Sequence, residues 1–436
     1  MPDLVAIISE PNRRRLLELL STGELTVSQL AARFKVTRSA ISQHLGVLSN
    51  AGLVQARQQG RFRYYRLDPD GMSALRGALE IFWTNELEEL ATARPPTNGG
   101  HDMIAETSVL VPLDPDATFA LLTEPARLRR WQAVTARVEV RAGGEYRWTI
   151  VPGHTAAGMI TELEPGKRLV LSFGWEGAGD LPPGASTVTI TLEPEEGGTR
   201  VRLVHSGLTA EQAAGHLEGW NHYGERLVAA AKRGDAGADE WGAADLSDPL
   251  TVAEASLAVC QLALRDLLPQ DARAQTPCAR FNLDELVEHL VGTLSSLARA
   301  AGAPEEPGGS DSLSAKLSEQ GPLSAESRVA DAAQVTLEAW RKRGLEGTVQ
   351  LGSFELPATR AVDILLLELL VHAWDFARTT QREISVDDAL SGYVLERARG
   401  LIAASMRDGD NFAAEHNAGP NADNLARLAA FTGREA

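Results

Sequence analysis

Cysteine is nearly missing. Cys260 and Cys278 are the two in 436 residues, too few for a disulfide framework, so a reducing cytoplasm is the expected compartment. Long apolar runs are missing as well: no stretch approaches the roughly 18 apolar residues that cross a bilayer, and no membrane partner is expected. The opening MPDLVAIISEPNRRR places its charge after a short apolar stretch, the reverse of a secretory leader. Net positive charge is also lacking. At −17 the chain cannot be basic throughout, which excludes a protein that coats nucleic acid over its whole surface. Lysine supplies only 5 of the 42 basic residues, an arginine bias that reflects coding composition and says nothing of function.

What is present is unevenly spread. Residues 1–95 hold 12 Arg/Lys against 10 Asp/Glu, a net +2, leaving −19 on the remainder. A mildly basic module on an acidic body binds DNA locally while the body resists non-specific binding. Chain length predicts about three domains, and 44% hydrophobic residues is ordinary for globular protein.

The basic segment carries its own pattern. Thr26 and Gln29 have the spacing of a capping box, and Leu25 and Leu30 that of the hydrophobic staple around it. Thr37 is placed to cap a second helix, in which Ile41, Leu45 and Leu48 form a buried stripe at helical period. Arg38, Ser39, Ser42 and Gln43 then share the outer face, offering hydroxyls, an amide and a guanidinium to base edges and phosphates. Asn50-Ala51-Gly52 ends the helix. Residues 53–57 and 61–67 predict a two-stranded wing around Gln58-Gln59-Gly60, with Phe62 and Tyr64 on its apolar face. Arg61 and Arg63 would lie on the other face, against a phosphate backbone.

SEPNRRRLLELL, TVSQLAARFKVTRSAISQHLGVLSNAGLV and RQQGRFRYYRLDP resemble the arsenical-repressor (ArsR/SmtB-type) winged-helix family over residues 1–92. The resemblance implies a double-stranded DNA operator as partner. Many metal-sensing members carry a cysteine motif where this chain reads Gly23-Glu24-Leu25-Thr26, so metal sensing there is not expected. The apolar helix predicted from Asp70 to Leu90 pairs protomers in that family, which implies a homodimer on a pseudo-palindromic site. Docking on the next domain is the other reading of it.

Arg94 to Gly100 reads as a linker. Beyond it, short strands alternate with turn signals. Thr187, Thr189 and Thr191 alternate with Val188, Ile190 and Leu192, the pattern of a sheet with one wet face, and a helix is predicted from Thr209 to Lys232. LTEPARLRRW, RAGGEYRW, GMITELEPGKRLVLSFGW, GGTRVRLVHSGL and HLEGWNHYGERL resemble the START/polyketide-cyclase-like (SRPBCC) superfamily, in its branch that activates a heat-shock ATPase. That implies a curved antiparallel sheet gripping a long helix around an apolar cavity. Trp131, Trp148, Trp175, Trp220 and Tyr223 are candidates to line it for a small-molecule effector, or else plain core. His205, His216 and His222 have no evident partners in the sequence.

Residues 233–248 read as a second, acidic linker, and the remainder as a helical bundle. Within LLLELLVHAWDFA, Glu368 and His372 stand four apart on one helical face amid apolar residues. A lone carboxylate buried there costs on the order of several kcal/mol, so it needs a partner or a metal. His289 lies on another apolar helix, which Asn282 and Glu285 open with a capping box. Two histidines and a carboxylate could hold a divalent ion such as zinc and leave an open position; an internal His–Glu hydrogen bond is the plainer alternative. TPCARFNLDELVEHLVG, LPATRAVDILLLELLVHAWDFARTT and LARLAAFTGR resemble the DinB-like, mycothiol-dependent maleylpyruvate isomerase-type family, whose metal triad falls on His289, Glu368 and His372. Phe281-Asn282 departs from the Trp-Thr usual in relatives.

The fold expected is a multidomain α/β chain: a winged helix-turn-helix (1–94), an α+β helix-grip domain with a curved antiparallel sheet (102–232) and an all-α DinB-like helical bundle (248–436). Two functions follow. One is a dimeric transcriptional regulator whose downstream domains sense an apolar ligand or bind a metal. The other is a thiol-dependent metalloenzyme, an isomerase or transferase, with an autoregulatory DNA-binding domain. No catalytic acid–base set stands out in the sequence.

Overall fold

The computed structural model describes residues 11–21, 23–31, 33–34, 38–59, 62–69, 71–72, 75, 103–239, 241, 244–265, 267–304, 324–407 and 412–435. Two compact units result, Met1–Gly99 and Gly100–Ala436. No helix among the described residues is long and apolar enough to cross a membrane.

The first unit begins with α1 (Pro11–Ser21), which buries Leu16, Leu17 and Leu20. The predicted box then forms: Thr26 N donates to Gln29 Oε1 (2.9 Å) and Gln29 N to Thr26 Oγ1 (3.3 Å), opening α2 (Val27–Ala31). In α3 (Arg38–Asn50) the stripe Ile41, Leu45 and Leu48 is fully buried. Gly52 then takes the left-handed conformation (φ 74°) that ends the helix.

The wing differs from expectation in three ways. It is three-stranded, because β1 (Leu25–Thr26) pairs with β3 (Phe62–Leu67), which pairs in turn with β2 (Val54–Gln59). Its strands run through Gln58 and Gln59, which pair with Arg63 and Phe62. The buried face carries Tyr65 with Val54, while Tyr64 is only partly covered. Strand alternation puts Arg63 and Tyr65 on one face; the core underlies only the base of the ribbon, so the tip keeps its arginine exposed. The predicted Asp70–Leu90 helix and the 94–100 linker lie largely outside the described residues; Leu75 is buried in this core.

The second unit holds two large hydrophobic cores and a small third cluster of Ala105, Leu181, Leu208 and Ala213. The first is a seven-stranded antiparallel sheet of order β4-β10-β9-β8-β7-β6-β5, comprising β4 (Met103–Val111), β5 (Thr135–Val138), β6 (Glu145–Val151), β7 (His154–Glu164), β8 (Arg168–Phe173), β9 (Ser186–Glu195) and β10 (Gly198–Leu208). Val188, Ile190 and Leu192 face inward, as the threonine alternation predicts. Two short helices, α4 (Pro115–Thr123) and α5 (Pro125–Leu128), precede β5. The long α6 (Ala210–Arg233) lies across the sheet; a Thr209–Gln212 capping box starts it and Gly234 at φ 81° ends it.

The second core is a bundle of α7 (Pro249–Leu264), α8 (Leu283–Ala300), α9 (Ala325–Arg343), α10 (Ala358–Thr379), α11 (Asp388–Leu401) and α12 (Asn424–Phe431). An unforeseen hairpin, β11 (Thr348–Leu351) and β12 (Phe354–Pro357), leads into α10.

The connector 233–248, expected as a linker, is half-exposed where it is described but tied to the sheet domain at several points. Arg226 donates to the carbonyls of Gly237 and Ala238, and Trp241 stacks on His222. Sheet and bundle share a charged, buried junction. Arg129 donates to Glu326 (2.8 Å) with both side chains almost wholly covered, and Arg265 donates to the Arg129 carbonyl. Gln261 donates to Val134 O (2.8 Å), and Gly153 N donates to Glu254 (2.7 Å).

Candidate functional site

Three places carry chemistry. On the DNA-reading module, Arg38, Ser39, Ser42 and Gln43 fall in the first half of α3, off the buried stripe; their side chains, with Thr37 and Arg61, lie outside the described residues. Arg63 is exposed, its guanidinium 5.5 Å from the Tyr65 ring centre. Arg57 lies on the other side of the ribbon, over Tyr64 and paired with Glu24 (2.6 Å). Cationic groups therefore stand on both faces of the wing.

The second place is a cavity of about 370 Å³ between the sheet, α6 and the connector. Of the five candidates, Trp175, Trp220 and Tyr223 line it. Trp131 and Trp148 sit deeper, around a void of about 40 Å³, and Trp131 Nε1 donates to Leu121 O (2.9 Å). The walls that sequence reasoning missed include Gln132, Phe173, His216 and Trp241.

Contrary to the sequence reading, the three histidines have partners. Trp220 Nε1 donates to His205 Nδ1 (3.2 Å), so the proton sits on His205 Nε2, 2.8 Å from Ser186 Oγ. Trp175 Nε1 donates to His216 Nε2 (3.2 Å), whose Nδ1 donates to Gln212 O (2.8 Å). His222 Nε2 lies 2.9 Å from Asp239. Burial, reinforced by His216, pushes the His205 pKa down to about 3, and burial lowers that of His216. Both rings are neutral, with each nitrogen already bonded. His216 lines the cavity as aromatic surface with His205 packed edge-on behind it, and neither keeps an imidazole nitrogen free to act as an acid or base; an exposed imidazole, His154, also lines the cavity.

The third place is the triad, which the fold brings together. His289 on α8 and His372 on α10 put Nε2 atoms 3.1 and 3.2 Å from one oxygen of Glu368. One ligand atom from each residue lies within 4.8 Å of the others. Burial opposes ionisation of Glu368, yet hydrogen bonds from both histidines overcome it and hold the carboxyl well below its ordinary range. Burial likewise opposes a charged His372, but Asp375 and Glu368 outweigh it and raise its pKa to about 9.

Asp375, three residues on, takes His372 Nδ1 at 2.9 Å and is itself clamped by Arg434 at 2.8–3.3 Å, all within the core. A ring held through Nδ1 presents Nε2 outward, the arrangement seen behind metal-ligating histidines. Sequence reasoning missed both residues. The His-x-x-Asp spacing on an apolar helix signals Asp375; nothing local signals Arg434, 59 positions away. Phe281 stacks on His289 at 4.8 Å, so the departure from Trp still supplies an aromatic face.

A helix pair whose first member opens on a capping box, followed by a three-stranded wing with arginines on both faces, defines a winged helix-turn-helix DNA-binding protein. Residues 10–56 match the model for the bacterial regulatory protein, arsR family. Over 80 residues, 18% of this chain and 75% of the relative, the protein is 46% identical to an HTH-type transcriptional regulator of Mycobacterium tuberculosis. The chain belongs to the ArsR family and is a DNA-binding transcriptional regulator with further domains.

Residues 112–232 match the model for Activator of Hsp90 ATPase homolog 1-like protein, and residues 253–377 that for the mycothiol maleylpyruvate isomerase N-terminal domain. A solved AHSA1-like protein of Rhizobium etli is 41% identical, covering 33% of this chain and 91% of its own, with TM-score 0.28. An uncharacterized protein of Mycobacterium tuberculosis is 27% identical over 188 residues, 43% of this chain and 98% of the relative.

Proposed function

We propose that the protein acts in the cytoplasm as a homodimeric regulator whose operator affinity answers to a small molecule held in the helix-grip cavity. The observation that carries this is the apolar cavity of about 370 Å³, set in the unit that follows the DNA-reading module. The mechanism is linkage: a ligand that prefers one dimer geometry shifts operator affinity by its differential binding. Thr37, Arg38, Ser39, Ser42 and Gln43 read the operator, and Arg61 and Arg63 hold its backbone. Arg63→Ala should weaken binding to all sequences and reduce its salt slope by about 1.

Gly215 gives the test of sensing, because it lines the cavity and a Cβ there meets open space. Gly215→Phe should exclude the neutral fluorophore N-phenyl-1-naphthylamine and abolish its effect on operator binding, leaving ligand-free binding intact. Equal responses from wild type and variant reject the sensing role.

The bundle's donor set fits a divalent cation, best zinc: two imidazole nitrogens and an ionised carboxylate converge, and one ring is oriented from behind by Asp375. His289, Glu368 and His372 would hold the ion, which when bound supplies Lewis acidity toward a thiol or water. The same triad supports the second reading, a thiol-dependent metalloenzyme. Turnover of a thiol adduct that is lost with His372→Ala would establish it.

A further inference from the structure

The cavity's polar atoms define what it accepts. Among the described residues no Arg, Lys, Asp or Glu lines it and the one imidazole without a hydrogen bond, His154, is solvent-exposed, so a carboxylate or ammonium buried among its rings would leave water without a fixed counter-charge. Its walls are ring faces: Phe173, Trp175, Trp220 and Trp241, with neutral His216 between. His205 and His216 have already spent their hydrogen bonds on tryptophan indoles, the Gln212 carbonyl and Ser186.

Two buried polar groups have not. The Tyr223 hydroxyl is buried and makes no hydrogen bond of normal geometry, with the Asp239 carboxylate beside it as a weak acceptor. Burial, with the neighbouring Asp239 carboxylate, pushes its pKa up, so it stays a donor at every physiological pH. Gln132 is 5% exposed, and its side-chain amide makes no hydrogen bond within the described residues. Both residues line the cavity. A buried donor left unpaired costs about 1–3 kcal/mol, so a ligand oxygen that meets it recovers that energy while a bare hydrocarbon does not.

We propose that the cavity binds uncharged, planar aromatic compounds bearing a carbonyl-type oxygen, which Tyr223 and Gln132 receive while the indole rings stack on the ring system. This rests on the reading of the cavity as a ligand site and adds the chemistry that selects the ligand. Trp241 makes the selection depend on the connector as well as the helix-grip fold, because its ring packs beside Gly219 and on His222.

The test uses the full chain and three probes of one skeleton: fluorenone, fluorene and fluorenone carboxylate. Binding is read by quenching of the cavity tryptophans, and operator affinity by anisotropy of labelled DNA in the same titration. Fluorenone should bind about tenfold more tightly than fluorene, and the carboxylate about tenfold less tightly than fluorenone. Tyr223→Phe should remove the preference for the ketone and leave fluorene binding unchanged, which also shows that the variant is folded. Gln132→Leu should weaken the ketone alone.

Equal binding of ketone and hydrocarbon, retained binding of the anion, or a Tyr223→Phe loss shared by both neutral probes would each overturn the proposal. So would failure of both neutral probes to bind. Ketone selectivity with unchanged operator affinity keeps the ligand class and removes the sensing role. An operator response without ketone selectivity does the reverse.

Discussion

Two pockets in one unit use histidine in opposite ways. In the helix-grip cavity, His205 and His216 meet indole N–H donors, a hydroxyl and a carbonyl, and burial drives both to neutrality. In the bundle, His372 is equally buried but faces two carboxylates, and its pKa rises to about 9. Burial is common to both, so the partner decides the charge. One pocket becomes an uncharged aromatic box suited to neutral ligands. The other becomes a charged donor set suited to a cation.

The comparison presumes that sheet and bundle fold together, and the junction tests that with the largest expected effect. Glu326 is fully buried, its charge answered by Arg129. Glu326→Gln leaves that arginine only the half-exposed Asp331 (3.3 Å) as counter-charge and should cost up to about 3–5 kcal/mol of stability in the second unit, read by calorimetry. Arg129→Met with Glu326→Leu should recover most of it. Two independent transitions for sheet and bundle in the wild type would break the comparison at its root.

A smaller effect sharpens the metal side. Asp375→Asn keeps the three ligands but weakens the hold on the His372 ring, so zinc affinity should fall about 10- to 100-fold by competition with a chelator. Glu368→Ala, which removes a ligand, should abolish stoichiometric zinc. If Asp375→Asn bound zinc as tightly as wild type, the Asp375–Arg434 clamp would be purely structural. Operator binding by the ligand-free protein should not change in either variant.

How much of this was legible depended on distance along the chain. The Glu368–His372 pair follows from one helical turn, and the Thr26–Gln29 box from three residues. Arg434 was invisible because its link to Asp375 forms only when the chain's last helix docks. His205 and Ser186 meet through the register of β9 with β10, which alternation alone does not set. Trp241 was hidden in a segment whose glycines and acids read as linker, yet it packs on α6. The wing's buried face was misread at Tyr64 and Tyr65, since it is Tyr65 that reaches the core. Arg38, Ser39, Ser42 and Gln43 rest on sequence and helix position alone.

The pH dependence gives the finest test of the contrast. His205 has its folded pKa lowered from 6.5 to about 3, so the folded chain resists a proton that the unfolded chain accepts. The sign follows: the stabilisation is complete above about pH 6.5 and is lost as pH falls toward the folded value. Between pH 6.5 and 5 this one ring should remove about 1.6 kcal/mol, the slope rising to about 1.36 kcal/mol per pH unit as the unfolded ring becomes fully protonated. Carboxylates elsewhere add slopes of their own, so the measurement is the difference between wild type and His205→Gln. Glutamine keeps a donor and an acceptor for Ser186 and Trp220 but does not titrate. Wild type should lose stability faster than His205→Gln over that interval, in denaturant melts followed by cavity tryptophan fluorescence. Parallel curves would mean that His205 accepts its proton in the folded state, and a charge would then stand behind the cavity's aromatic wall.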